Sequence, residues 1–258
     1  MNISRVGVDL AKNVFQIHGT DNQGNPTWKR KLSRDKWIAA ICKAVPRGSE
    51  IGMEACAGSH HWARRLTEHG YQVKLIPPQF VIPYVKSNKN DANDAEAICE
   101  AMSRPHMRFV KVKTVEQQDI QAIHRVRSEL MSQRTAKINQ VRGLVAEYGL
   151  VAPKQAESLR KALPLWLEDA ENGLTPRFRH LLHGLSMDLG YLYDRIAKLD
   201  QEIREIANSD PMAVRLQQLR GVGPLVATAL IAAVGDGQQF AKGRQMAAAL
   251  CLTPKQFS

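Results

Sequence analysis

Residues 3–19 read ISRVGVDLAKNVFQIHG. Residues 3–9 are an apolar strand that ends on a carboxylate, Asp9, and residues 13–19 alternate as a second strand does. The turn formers DNQGNP at 21–26 follow, and a third strand is expected at 27–32. The chain therefore opens with an antiparallel meander. Ser33 is placed to cap a helix carrying Lys36, Trp37, Ala40 and Ile41. EIGME at 50–54 is another short apolar strand, and it too ends on a carboxylate, Glu54. Residues 59–69 form a helix stopped by Gly70, and YQVKLI at 71–76 is a strand closed by Pro77 and Pro78.

A meander followed by helices and strands in alternation is the order of an α/β layered, RNase H-like fold. DANDAEAICEAM at 91–102 reads as a further helix, preceded by the basic segment KSNKN at 86–90. After Pro105 the character changes. Residues 115–148 form a long charged helix with Ile120, Ile123, Val126, Leu130, Ile138, Val141, Val145 and Tyr148 as its apolar stripe, interrupted at Gln133 and Arg134. Leu185, Leu189, Leu192, Ile196, Leu199, Ile203 and Ile206 step alternately by four and three, which is a heptad seam. That pattern suits an ordinary bundle helix as well as an antiparallel coiled coil between the two stretches, which could also make a homo-oligomer. Residues 149–184, with Pro153, Pro164 and Pro176, are expected to be a loop with short helices. LQQLRGVGPLVATAL at 216–230 joins two short helices through Gly221 and Gly223. It is either a plain helical hairpin or a helix-hairpin-helix whose backbone N–H groups hold a phosphate. The division expected is 1–110, a catalytic α/β domain; 111–210, a helical coiled-coil region; and 211–258, a helix-hairpin-helix-like start of a further domain.

Composition narrows the function. The 258 residues carry a net charge of +11, which favours a polyanionic partner because each Lys or Arg set against a phosphate releases counterions. Cys42, Cys56, Cys99 and Cys251 lie far apart, so a zinc site or redox dithiol is not expected. The start, MNISRVGVDLAK, has no apolar signal region, and no stretch reaches the ~18 apolar residues of a membrane span. A cytoplasmic protein without a membrane partner is expected.

Four acids stand out by position. Asp9 and Glu54 end strands, and Asp91 and Asp94 are spaced to share one face of a helix. Hard oxygen ligands of this kind suit Mg²⁺ or Mn²⁺, and two such ions serve phosphodiester cleavage. Taken singly the acids have plainer uses: a strand-end Asp closes a turn, and Asp91 with Asp94 would serve as an N-cap and first-turn charge. Lys12, beside Asp9, is a candidate for phosphate contact or equally a solvated strand-end lysine, and Lys86 and Lys89 are candidates for nucleic-acid binding that belong with the basic positions named next. Arg125, Arg127, Arg134, Lys137 and Arg142 offer a basic track or simply a solvated face. His60 and His61 could approach the metals or a phosphate, but are read first as helix-surface residues, since Mg²⁺ prefers oxygen. A sugar-kinase-like ATPase also opens on a strand and an Asp, but DLAK lacks the Gly and Thr that would follow.

The segments GVDLAKNVFQIHG at 7–19, GMEACAGSHHWARRLTEHGYQVKLIPP at 52–78, KNDANDAEAICEA at 89–101 and LRGVGPLVATALIAAVGDGQQFAKGRQMAAALCLTP at 219–254 together resemble the DEDD-type insertion-sequence transposases, the group that includes the Piv invertases. The resemblance covers nearly the whole chain. It implies a RuvC-like metal site at Asp9, Glu54, Asp91 and Asp94, DNA as partner, and a structured guide RNA. It also implies a nucleophilic serine just after the LTP motif, in an SG or SSG context. The sequence runs TPKQFS at 253–258, so Ser258 is a candidate as the first serine of that context, with the nucleophile itself expected one residue further on, or it is a plain terminal residue; the chain is expected to be cut in mid-motif. A transposase is thus the primary expectation. The alternatives are a RuvC-like junction-resolving nuclease, which the acids alone would fit, and a nucleic-acid-binding remnant lacking the serine segment.

Overall fold

Strand β1 (Arg5–Leu10) buries Val6, Gly7 and Val8 in succession, so both faces of the strand are covered. The computed structural model describes residues 3–85 and 91–252, with the side chains of Asp91 and Ala92 outside that description. The chain divides into two compact units, residues 1–114 and 115–258.

In the first unit β1, β2 (Val14–Thr20) and β3 (Pro26–Ser33) form the expected antiparallel meander. Helix α1 (Trp37–Ala44) leads to β4 (Glu50–Glu54), and α2 (Ser59–Glu68) to β5 (Gln72–Ile76). Both later strands run parallel, β4 to β1 and β5 to β4, giving the order β3-β2-β1-β4-β5. This mixed five-strand sheet with helices is consistent with an RNase H-like domain. Helix α3 (Pro78–Val81) and a short 3₁₀ turn (Ile82–Tyr84) precede α4 (Asp91–Met102).

Side chains alternate between the sheet's faces. Val6, Val8, Phe15 and Ile17 share one face with Ile51 and Met53, and they pack with Trp37, Ile41, Trp62, Ala63 and Leu66 of α1 and α2. Phe15, Trp37 and Trp62 meet edge to face in all three pairings, at centroid distances of 5.0, 5.6 and 5.1 Å. The other face is covered by α4. One expectation fails here: Ser33 does not cap α1. It ends β3, and its hydroxyl hydrogen-bonds to the Asp35 carboxylate, holding that group below the usual carboxylate range. Lys36 takes the N-cap position without a side-chain bond.

The second unit is built on two long helices, α5 (Val115–Ala146) and α7 (Pro176–Ser209), separated by α6 (Ala156–Glu168). They run antiparallel: Arg127 pairs with Asp200 at 2.5 Å, Leu130 packs on Leu192 and Ile196, and Lys137 pairs with Asp188 at 3.0 Å. The loop with short helices expected at 149–184 contains α6, but its last nine residues already belong to α7. Pro176 occupies the first turn of α7, where its missing N–H costs nothing, and the Thr175 hydroxyl accepts from Phe178 N at 3.2 Å. Phe178 and Leu182 then extend the heptad stepping backward from Leu185.

Val126, expected in the α5 stripe, is 43% exposed. The positions that face inward nearby are polar. His124 bonds Thr228 at 2.9 Å, Arg127 reaches Asp200, and Arg134 stacks over Tyr193 at 5.2 Å. Arg142 donates to the carbonyls of Pro153 and Gln155. Of the expected basic track, then, four cations are committed to partners within the unit, while Arg125 stays exposed.

The unit continues with α8 (Pro211–Leu216), α9 (Pro224–Val234) and α10 (Gly243–Ala249). Ala207, Ala213, Ala227 and Ile231 form a small core where α7, α8 and α9 meet. Among the described residues no helix is long and apolar enough to cross a membrane. All four cysteines are free thiols.

Candidate active site

The register of β1 on β4 pairs Val8 with Met53, so Asp9 and Glu54 are the next residues of the two neighbouring strands. By alternation both carry their side chains to the face of Gly7 and Gly52, which α4 covers. The two glycines are there because the helix comes close. A Cβ on Gly7 would lie 2.2 Å from the Ala95 carbonyl oxygen, and one on Gly52 would lie 2.9 Å from Met102 Sδ. A Gly-x-acid pattern thus repeats, GVD at 7–9 and GME at 52–54. In each the glycine admits the helix, the middle residue enters the core and the acid emerges half-buried beyond the helix.

Helix α4 runs against the direction of β1. Cys99 Sγ lies 3.5 Å from Thr20 Oγ1, opposite Arg5, and Glu96 lies 3.7 Å from His18 Nδ1, opposite Gly7. Moving toward the helix N-terminus therefore moves toward Asp9, and Asp94, half-buried, belongs to the first turn. Asp91 opens the helix, and its side chain lies outside the described residues.

Cys56 follows in the loop after β4. Burial pushes its thiol up, and the carboxylates of Glu54 and then Asp9 push it further. One sulfur feels both charges, which fits two carboxylates directed to the same place. Among the described residues no group of three His, Cys, Asp or Glu side chains is assembled that could hold a metal ion. The donor chemistry nevertheless suits a hard cation: adjacent half-buried carboxylates at an open sheet end, with a third on the approaching helix.

The other expected residues are placed as follows. Lys12 is exposed in the turn after β1, and its carbonyl accepts from the Arg34 guanidinium at 3.2 Å. Lys86, Lys89 and Ser258 lie outside the described residues. His60 is half-buried and structural: its Nδ1 accepts from Lys113 N at 3.1 Å, and burial, then Lys113 and Arg64, holds its pKa below the ordinary value. His61 is exposed beside Trp62. Gly221 and Gly223 are both exposed in the turn between α8 and α9, but only Gly221 uses glycine's freedom, with φ +88. Gly223 is extended at φ −92, which any residue adopts, and it N-caps α9.

Two comparisons decide the family. A family model of the DEDD, IS110 type, described as "Transposase", matches residues 6–150, more than half of the chain. The chain belongs to the IS110-type insertion-sequence transposases. A second model of these transposases, described as "Transposase IS116/IS110/IS902 family", matches residues 213–258. Relatives are similar along the whole chain. A "Probable family 20 transposase" of Pseudomonas aeruginosa is 46% identical over 100% of the chain and 76% of its own length. The "Transposase for insertion sequence element IS1111A" of Coxiella burnetii is 43% identical over 100% of the chain and 70% of its length. The "Transposase for insertion sequence element IS1328" of Yersinia enterocolitica is 38% identical over 100% of the chain and 75% of its length. The DEDD match runs from residue 6 to residue 150, so it takes in nearly all of the first unit with its carboxylates.

Proposed function

We propose that this transposase cuts and rejoins DNA strands with a divalent metal held by Asp9, Glu54, Asp91 and Asp94. The observation that carries the reading is the register that sets Glu54 beside Asp9 on the α4 face. Bound there, Mg²⁺ or Mn²⁺ supplies a Lewis acid for the phosphate and an activated water or hydroxyl nucleophile. The chain's own residues do the rest. The two strand-end carboxylates are fixed by a buried sheet and cannot move apart without breaking it. Asp94 approaches with the first helical turn. Lys12, exposed beside Asp9, holds a phosphate of the incoming strand, and Lys86 and Lys89 do the same on the segment before α4. In the second unit the α8–α9 turn, with Gly221 and Gly223, serves as a helix-hairpin-helix contact to the nucleic-acid backbone. The antiparallel α5–α7 pair acts as a coiled coil that joins copies of the chain. A guide RNA, implied by the family resemblance, selects the DNA.

A junction-resolving nuclease would use the same acids. The match of residues 213–258 to the second transposase model favours strand transfer. The test is a recombination assay on plasmid DNA carrying the ends of the element, with Mg²⁺ and RNA transcribed from the element, for the native chain and Asp9→Asn. Recombinant product that needs metal and Asp9 supports the proposal. Product that survives Asp9→Asn refutes the site. Specific DNA binding without any strand cleavage would favour a binding remnant.

A further inference from the structure

Successive rows of side chains on the α4 face differ in cover. The row His18, Gly7 and Gly52 is buried beneath the helix. In the next row toward the open end, Gln16, Asp9 and Glu54 are half-buried and Lys31 is exposed. The register is explicit: Lys31 pairs with Gln16, Gln16 with Asp9, and Asp9 precedes Leu10 as Glu54 follows Met53. The cover therefore thins between the two rows, and the partly covered row reads Lys31, Gln16, Asp9, Glu54 across four neighbouring strands, open at Lys31.

A polyanion approaching two carboxylates is repelled unless cations flank them. Lys31 stands two strand spacings from Asp9, about 10 Å. It lies on β3, the edge of the sheet, so no further strand continues the row, and the residue is exposed. Its neighbour on the same strand, Lys29, is drawn to Glu96 of α4 at 3.3 Å, whereas Lys31 has no ion pair among the described residues. Gln16 between them offers an amide donor. At the same end of the sheet Arg34 is held in place, its guanidinium 5.1 Å from the Trp62 ring and bonded to the Lys12 carbonyl.

We propose that Lys31, seconded by Gln16, is a phosphodiester contact for a DNA strand that enters the carboxylate pair across the β3 edge. This rests on the carboxylates being the cutting site. The backbone phosphate that Lys31 holds is a neighbour, along one strand, of the phosphate at Asp9 and Glu54. Lys31 is a positioning residue: it binds the backbone and sets its path, with no part in bond breaking.

The experiment measures affinity for a fluorescein-labelled single-stranded DNA 20-mer against salt concentration, in EDTA so that no metal enters. The full chain is compared with Lys31→Gln, Lys31→Arg, Gln16→Ala and Lys43→Gln, the last removing one exposed charge from α1. Loss of one single-strand phosphate contact flattens the slope of log K on log salt by about 0.7. Lys31→Gln is expected to show that change and to weaken binding about three- to tenfold at low salt, with Gln16→Ala weaker in effect. Lys31→Arg restores both slope and affinity, and Lys43→Gln leaves the slope unchanged. Equal effects of Lys31→Gln and Lys43→Gln, no rescue by Arg, or no DNA binding by the native chain would each overturn the proposal. So would a Lys31 dependence confined to an RNA 20-mer of the same sequence. Because the readout needs no metal, a cutting-site reading that fails in the recombination assay is told apart from a failure of the Lys31 contact.

Discussion

Asp9 and Glu54 stand side by side on adjacent parallel strands, one residue beyond the Val8–Met53 pair, and both face the side of the sheet that α4 covers. The two glycines that precede them by two positions make this possible, and they give the first prediction. A Cβ at Gly7 would strike backbone, the Ala95 carbonyl at 2.2 Å and Cys99 N at 2.7 Å, which cannot yield without moving the helix. At Gly52 the tightest atom is Met102 Sδ at 2.9 Å, the end of a flexible side chain. Overpacking of this kind costs about 1–3 kcal/mol or more. Gly7→Ala is expected at or above the top of that range and Gly52→Ala near the bottom, by urea unfolding. Equal costs would mean that α4 does not approach β1 as described.

The α5–α7 seam makes a second prediction. Leu182 is fully buried, and truncation to Ala should cost about 2–5 kcal/mol through lost burial and a residual cavity. Val126 is 43% exposed, so Val126→Ala should stay within about 0.5 kcal/mol. Denaturant midpoints of the two variants check the assignment of the buried face on α7 and of the exposed face on α5.

A third prediction concerns pH. His124 of α5 shares a hydrogen bond with the Thr228 hydroxyl at 2.9 Å, and burial, then the Arg127 charge, holds its pKa below the ordinary value. The unfolded chain then binds a proton that the folded chain refuses. Stability from this group is present in full above the unfolded value of about 6.5 and falls as pH drops through that value toward the depressed folded one. His124→Gln removes the titration, so its stability should fall less steeply than the native chain's between about pH 7.5 and pH 5. Parallel pH profiles would contradict the assignment.

Much of this was open to reading in the sequence. Alternation in 13–19 and the turn at 21–26 gave the meander, because apolar Phe15 and Ile17 alternate with polar Gln16 and His18 on opposite faces of β2. The acids at strand ends were visible for the same reason. The repeated Gly-x-acid of 7–9 and 52–54 was also visible, but its meaning depends on a helix some forty or more residues further on, and no local rule names that partner. Pro176 was misread because a proline that breaks a helix and one that begins it look alike without the Thr175 cap. Val126 was misplaced because the seam of α5 passes through His124, Arg127 and Arg134, polar residues that find partners on facing helices. Hydrophobic periodicity cannot register such positions. Lys31 escaped notice since its alignment with Asp9 exists only across three paired strands.

The most direct test of the metal site is thermal unfolding with and without Mn²⁺, followed by tryptophan fluorescence. Trp28, Trp37 and Trp62 lie in the first unit and are buried there, so the signal reports chiefly on that unit. A cation at 100 times its dissociation constant stabilises by about 2.7 kcal/mol, which is several degrees for a domain of this size. The account predicts that Mn²⁺ raises the transition of the native chain and leaves those of Asp9→Asn and Glu54→Gln where they were. Equal shifts in all three proteins, or none in the native chain at millimolar Mn²⁺, would contradict it.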